Sequence, residues 1–386
     1  MPRTTMMDEG KTQAHGESVV RDKSIEELIQ RYSTLSESRR AQWTTYHRFA
    51  RELGHGGQGT VYLSYRKGAD GFNLPVAMKV FSPERFSAAC DYEETMLRVA
   101  HVASRIATIQ HDNLLQVQDF VDRNRIRIMV MEWIDGFDLR QILSIDRLKS
   151  VRAVVTTKRW DYIDSVIATF GTEQVRIKAG VAVAIMRECL AALSAMHREG
   201  IVHSDIKPAN IMLKKTGHAK LIDMGSAFEL INPPNKRACT PAYSAPEVLE
   251  GACCDQRSDL ASLGYVLIEL LAGRPCFPLD MEFKTLLEAK RSLANRLHEF
   301  LPPEVACNSH LMNLCRRLIA TDPEKRFSSA EAAELREGGA AEFHRQLVFG
   351  DLASEYDNDI RILLHEMGRI ETVTRGLGDT EHWSER

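Results

Sequence analysis

Asp205, Lys207 and Asn210 stand close together in Val202-His203-Ser204-Asp205-Ile206-Lys207-Pro208-Ala209-Asn210-Ile211-Met212-Leu213. Two acceptors of opposite use flank a cation, and Pro208 stiffens the turn between them. Apolar residues on both sides (Ile201 and Val202; Ile211, Met212 and Leu213) predict short strands that pin the loop at its ends. Phosphoryl transfer asks little covalent chemistry of a protein. It needs a carboxylate to orient a hydroxyl, a cation on the moving phosphate and an amide oxygen on magnesium. These three side chains could supply that set. The plainer reading of the same residues is a surface turn between two strands.

The loop resembles H-R-D-x-K-P-x-N, the catalytic loop of eukaryotic-type protein kinases, with Ser204 where most members have Arg. Other blocks agree with it. Gly54, Gly56 and Gly59 give G-x-G-x-x-G between Phe49–Leu53 and Thr60-Val61-Tyr62-Leu63. That spacing also serves dinucleotide-binding folds, but there the loop opens into a helix. Here β-branched and aromatic residues follow, so a hairpin is expected. The strand Pro75-Val76-Ala77-Met78-Lys79-Val80-Phe81 resembles the V-A-x-K strand. Lys220-Leu221-Ile222-Asp223-Met224-Gly225 resembles D-F-G with Met in the aromatic position, a slot an unbranched side chain can fill.

Cys239-Thr240-Pro241-Ala242-Tyr243-Ser244-Ala245-Pro246-Glu247 resembles the block ending in A-P-E. Together with Lys207, Thr240 resembles the serine/threonine branch of the family. Asp259 would cap the backbone of the His203 turn, and Arg326 would pair with Glu247. The resemblance spans about 46–345. It implies an α+β, two-lobed kinase-like fold, with a small antiparallel β-sheet lobe (46–134) and a larger, mainly helical lobe (135–345).

What the resemblance implies for the site is specific. Lys79 would hold the α- and β-phosphates of ATP, Asp205 would orient the hydroxyl, Lys207 would neutralise the γ-phosphate, and Thr240 would brace Asp205. Asn210 and Asp223 would hold Mg2+. The nucleotide would lie against Leu53, Gly54, Gly56, Gly59, Val61, Ala77, Met131, Glu132, Ile134, Asp138 and Met212. Asp138 reads equally well as a helix N-cap. The family also pairs its strand Lys with a helix Glu, and the chain offers Glu93 and Glu94. Met96, Leu97 and Ala100 follow Glu93 at helical steps, so Glu93 is expected to face inward. The register departs from the family here, because the candidate lies nearer the Lys than is usual.

Size and composition fit this reading. The chain has 386 residues, 44% hydrophobic and 27% charged, enough for two domains or one two-lobed unit. The formal charge is −3, from 50 basic and 53 acidic residues, which implies neither nucleic acid nor a membrane surface as a bulk partner. The longest apolar run singled out, Tyr265–Ala272, carries Glu269 and reads as a buried helix. Met1-Pro2-Arg3-Thr4 continues polar, so no secretory signal is expected, and scattered cysteines read as free thiols in a cytoplasmic protein.

Residues 1 to about 23 are expected to be mobile. Ile25, Leu28, Ile29, Tyr32 and Leu35 predict a helix in an extension over 1–45. Residues 144–176 have no counterpart in the family and read as surface decoration or a docking site. Over the tail, 346–386, Ile360, Leu363, Leu364, Met367 and Ile370 predict a helix packed on a lobe or on another copy. Either end or the insertion could engage a regulatory partner.

Between Ser226 and Thr240 there is no other Ser, Thr or Tyr, and Ser204 removes the Arg that would meet an activating phosphate. Activation without phosphorylation of that segment is therefore expected. Two other classes stay open: a nucleotide-binding pseudokinase scaffold, and a small-molecule kinase of the aminoglycoside or choline type. Scaffolds generally lack one of Lys, Asp, Asn or the metal Asp. The small-molecule enzymes generally lack the A-P-E block.

Overall fold

The computed structural model describes residues 47–234, 239–252, 254–349 and 355–376. The helix expected near Ser24–Leu35 and the polar stretch before it lie outside these residues. Residues 67–72 belong to a second unit, described by itself as a 3-10 turn at Ala69–Gly71 closed by a Gly68 N–H to Phe72 carbonyl bond of 2.8 Å.

In the main unit, apart from the end residues His47 and Lys67, β1 (His47–Gly56), β2 (Gly59–Lys67), β3 (Asn73–Phe81), β4 (Val117–Arg123) and β5 (Ile126–Glu132) form one sheet, ordered β1-β2-β3-β5-β4. Only Gly57 and Gln58 separate β1 from β2, so the glycine loop returns as a hairpin. The two-residue period of β3 sorts its side chains. Val76 and Met78 join Ile128 and Val130 on one face. Ala77 and Phe81 turn to the other, toward α1 (Ala89–Ala107), and Lys79 shares their face.

The larger lobe begins with β6 (Gly136–Asp138) and α2 (Leu139–Ile142). The segment over 144–176 forms α3 (Ile145–Val154), α4 (Thr157–Tyr162), a π-helical turn at Ile163–Ile167, and a hairpin of β7 (Ala168–Phe170) with β8 (Val175–Ile177). Then come α5 (Ala179–Arg198), β9 (Ile201–Val202), β10 (Ile211–Lys214), β11 (Ala219–Leu221) and β12 (Phe228–Glu229). After α6 (Pro246–Leu249), α7 (Gln256–Ala272) is buried from Ser258 to Leu271. Its start is closed by an Asp255 capping box. By length and composition α5 is apolar enough to cross a membrane, a longer stretch than the Tyr265–Ala272 run. However, 61% of its apolar window is buried inside the protein, where it packs with α7.

The lobe closes with α8 (Phe283–Phe300), α9 (Pro303–Ala306), α10 (Ser309–Leu318), α11 (Ala330–Leu335), α12 (Ala340–Phe349) and α13 (Tyr356–Gly376). α13 lies on α3, the π-turn and α5, burying Ile360, Leu363, Leu364 and Met367. Polar contacts fix its rotation. Tyr162 Oη donates to Asp359 Oδ1 at 2.5 Å, and Arg159 Nε to Glu366 Oε1 at 3.3 Å. The inserted segment is thus one side of an intramolecular packing surface rather than decoration.

Candidate active site

The loop from Val202 to Ile211 hangs between β9 and β10 and is held from below by Asp259 of α7. Asp259 Oδ2 accepts from the His203 amide at 2.9 Å, and Oδ1 from the Ser204 amide at 2.8 Å. His197 Nε2 lies 2.9 Å from the same carboxylate. Burial pushes this carboxyl up, but the His197 hydrogen bond and the nearby His203 outweigh it and leave it below its ordinary value. Two amides on one acid keep Ser204 in the left-handed region at φ 68°, a conformation that costs a non-glycine residue energy. His203 Nδ1 accepts the Asp205 amide at 3.4 Å, so its Nε2 is the donor to the Ile222 carbonyl at 3.1 Å.

Asp205 is buried, with both oxygens engaged. Thr240 Oγ1 donates to Oδ1 at 2.8 Å, Lys207 Nζ to Oδ2 at 2.6 Å, and Asn210 Nδ2 to Oδ2 at 3.1 Å. Lys207 Nζ also reaches Thr240 Oγ1 at 3.0 Å, and Asn210 Nδ2 the Asp205 carbonyl at 2.8 Å. With its nitrogen turned to Asp205, Asn210 keeps its side-chain oxygen for another partner.

Lys79 Nζ, 5% exposed as a residue, donates to Asp223 Oδ1 at 2.5 Å and to Gln58 Oε1 at 2.7 Å. Burial raises the Asp223 carboxyl, but the Lys79 ammonium and the Gly225 amide more than offset it, holding it below its ordinary value. Asp223 is the second left-handed non-glycine residue here, at φ 64°. Backbone strain of this kind gathers where a side chain must be aimed.

Around this core the other expected residues are spread as follows. Gly54 and Gly56 have open space where a Cβ would stand. Gly59 differs: at φ 136° its Cβ would sit 2.0 Å from the Val80 carbonyl oxygen, so this glycine serves hairpin packing. Leu53 is exposed and Val61 half-buried against the core. Ala77 pairs with Met131 across β3 and β5. Glu132 gives its amide to the Gln116 carbonyl, and its carboxylate accepts from Lys220 and from the Gln116 amide. Ile134 is buried, and Met212 pairs with Asp138 in the β10–β6 register. The Asp138 carboxylate accepts the Gln141 amide at 2.8 Å as the cap of α2.

Glu93 requires a correction. It bonds Arg125 at 2.6 Å on the surface, and Glu94 bonds Arg98, so neither acid meets Lys79. Leu97, expected inward, is 72% exposed. The buried stripe is Tyr92, Met96, Val99, Val102, Ala103 and Ile106. The wheel drawn from Glu93 left out Tyr92, whose hydroxyl donates to the Phe81 carbonyl and accepts the Arg127 amide. That anchor rotates the carboxylates outward.

Three further groups escaped the motif reading. Gln58, the flap residue on Lys79, stands among glycines as the one long amide. Glu229, the only acid between Ser226 and Thr240, pairs with Arg105 and His101 of α1. Lys290 sits on the buried stripe of α8 with Leu286, Leu293 and Leu297, a cation at an apolar step. Its Nζ donates to the Ala242 carbonyl at 2.7 Å and lies 4.0 Å and 4.3 Å from the Tyr265 and Phe277 ring centroids. Deeper still, Arg326 grips Glu247 bidentately at 2.6 Å and 2.7 Å.

Comparison with known proteins gives this geometry its context. The family described as "Protein kinase domain" matches residues 47–336. Serine/threonine-protein kinase PrkC of Bacillus subtilis is 28% identical over 297 residues, which cover 75% of this chain and 39% of PrkC. Serine/threonine-protein kinase PknB of Mycobacterium tuberculosis is 28% identical, over 74% of this chain and 41% of PknB. The chain thus spans about two fifths of the length of these relatives. The crystal structure of the Mycobacterium tuberculosis PknI kinase domain shares the fold, with a TM-score of 0.51 at 24% identity, covering 79% of this chain and 97% of that one. Residues 47–336 being three quarters of the sequence, the chain belongs to the protein kinase domain family.

Proposed function

We propose that this chain transfers the γ-phosphate of ATP to serine or threonine hydroxyls of protein substrates. The observation that carries the reading is the closed set around Asp205, in which Thr240, Lys207 and Asn210 fix both carboxylate oxygens. The related proteins PrkC and PknB are named serine/threonine-protein kinases, which agrees with it.

The donor set fits a hard divalent cation. Asp223 offers a carboxylate kept ionised by its neighbours, and Asn210 an amide oxygen, both oxygen ligands of the kind Mg2+ takes. When bound, Mg2+ neutralises charge on the phosphate oxygens. The chain's own groups do the rest. Asp205 orients a substrate hydroxyl and accepts its proton. Lys207, bonded to both Asp205 and Thr240, brings positive charge to the transferred phosphoryl group, and Lys79 holds the phosphates behind it. Thr240 keeps Asp205 from rotating off the hydroxyl.

The segment from Ser226 to Thr240 holds no phosphorylatable side chain between its ends, and Ser204 offers no guanidinium for a phosphate. The enzyme therefore works without phosphorylation inside that segment. Its placement is cytoplasmic, with kinase lobes over 46–134 and 135–345, an N-terminal extension over 1–45 and a tail over 346–386. A regulatory partner would act through either end or the inserted segment.

Labelled ATP with Mg2+ and generic protein substrates tests the reading, with Asp205→Asn as control. Transfer that falls by about a thousandfold in the control, while ATP still binds, is the expected result. A chain that binds ATP under several metals and transfers nothing is instead a nucleotide-binding scaffold. The lack of an α1 acid at Lys79 is the observation that favours this second reading.

A further inference from the structure

The inward face of α1 brings no acid to Lys79, yet the lysine is not left with Asp223 alone. Its second acceptor, Gln58 Oε1 at 2.7 Å, comes from the tip of the glycine flap. The other end of the same amide, Nε2, donates to Ser226 Oγ at 2.9 Å. One side chain thus joins the flap, the β3 lysine and the turn that follows Asp223. Gly225 makes room for it, because a Cβ there would lie 2.0 Å from Gln58 Oε1 and 3.1 Å from Lys79 Nζ. The Gln58 carbonyl accepts the Ser82 amide at 3.0 Å, which fixes the tip's main chain against the end of β3.

An ammonium group has three N–H bonds. Asp223 and Gln58 take two, and the third remains for phosphate oxygens. Were Asp223 to hold a divalent cation, the amide would be the protein's remaining hold on the amine. An uncharged acceptor aims the N–H bonds without cancelling the charge that attracts phosphate. Ser226 lies in the turn packed against α1, so the amide ties Lys79 to the turn that borders that helix.

We propose that Gln58 is a positioning residue that replaces the missing helix carboxylate, aiming Lys79 at the phosphates of bound ATP and tying the flap to the Ser226 turn. This rests on the nucleotide reading above.

The test compares the unchanged full-length chain with Gln58→Ala, Gln58→Glu and Ser226→Ala. Equilibrium binding of ATP with Mg2+ is measured by calorimetry, and kcat with both KM values by labelled phosphate transfer. Loss of a hydrogen bond to a charged group is expected to weaken ATP binding about tenfold in Gln58→Ala. The KM for ATP should rise alongside it, with the KM for protein substrate and the unfolding midpoint unchanged. Gln58→Glu should regain most of the affinity, and Ser226→Ala should move it the same way by less.

Three results overturn the proposal: ATP binding in Gln58→Ala equal to that of the unchanged chain, tighter binding, or Gln58→Glu as weak as the alanine variant. Tighter binding would mark the amide as a plug in the phosphate site. If the unchanged chain binds ATP but transfers nothing, the enzymatic reading falls while the binding comparison still decides on Gln58. A chain that binds no ATP overturns both.

Discussion

On the floor of the cleft Asp205 is fixed by three side chains and, one layer down, by buried Asp259; on the roof Lys79 is fixed by a flexible amide and an acid from the opposite lobe. The floor is assembled within one packed unit, where backbone amides meet buried carboxylates and have no alternative partner. The roof is assembled from side chains that arrive from separate elements, and its helix brings no acid to the lysine. A floor of that kind resists rearrangement short of unfolding. A roof of that kind can be changed one side chain at a time.

The heaviest blow to the floor is Asp259→Ala. It strands the buried His203 amide and the half-buried Ser204 amide, at about 1–3 kcal/mol for a buried one, and should lower unfolding stability by about 3 kcal/mol while reducing phosphate transfer at least tenfold. Chemical denaturation and transfer assays read the two effects. A variant as stable as the unchanged chain would erase the contrast. Next comes Thr240→Ala, which removes one charge-assisted bond to Asp205. A roughly tenfold fall in kcat with unaltered ATP affinity is expected, and a change confined to ATP affinity would assign Thr240 to the roof.

Lys290, under the Ala242 segment, gives a pH signature. Burial pushes its ammonium down to about 7 from an ordinary 10.5, with Cys276, Cys239 and Glu247 pulling weakly the other way. Below that lower value both folded and unfolded chains hold the proton. Between the two values the unfolded chain keeps a proton that the folded one has released, so stability rises with pH across the window. Relative to Lys290→Met, the unchanged chain should gain up to about 1.4 kcal/mol per pH unit above neutrality. A constant difference from pH 7 to pH 9.5 would contradict this.

The smallest effect belongs to the roof's outer surface. Glu93→Ala removes only an exposed pair with Arg125, so stability should fall by less than about 0.5 kcal/mol and ATP affinity should stay put. A tenfold loss of affinity would return Glu93 to Lys79 in the working enzyme and remove the vacancy that Gln58 is proposed to fill.

This asymmetry also governs how far the chain could be read from its letters. Asp205, Lys207, Asn210 and Asp223 are legible because a loop between two short strands has few ways to turn, and residue type and spacing then define the site. The β3 period likewise puts Lys79 on the face of Ala77 and Phe81, and the stripe Ile360, Leu363, Leu364, Met367 marks the buried side of α13. Glu93 was misplaced because a helix can rotate about its axis, and the tie-breaker was the hydroxyl of Tyr92 meeting two backbone groups distant in sequence. The Gln58 contacts join residues far apart along the chain, and no local pattern encodes such a meeting. The packing role of the 144–176 segment, which reads from sequence as decoration or a docking site, is hidden because its partner surface lies in the tail, nearly two hundred residues on.

That pairing carries a consequence for descent. α13 hides an apolar stripe against the 144–176 segment and α5, and Tyr162 and Arg159 of that segment find their partners on Asp359 and Glu366 of the tail. A lineage that lost either piece would leave the other with a wet, greasy flank and unmatched charges. The two should therefore be inherited or deleted as a pair, and a survey of homologous genes that found one persisting without the other would show that something else has come to cover it.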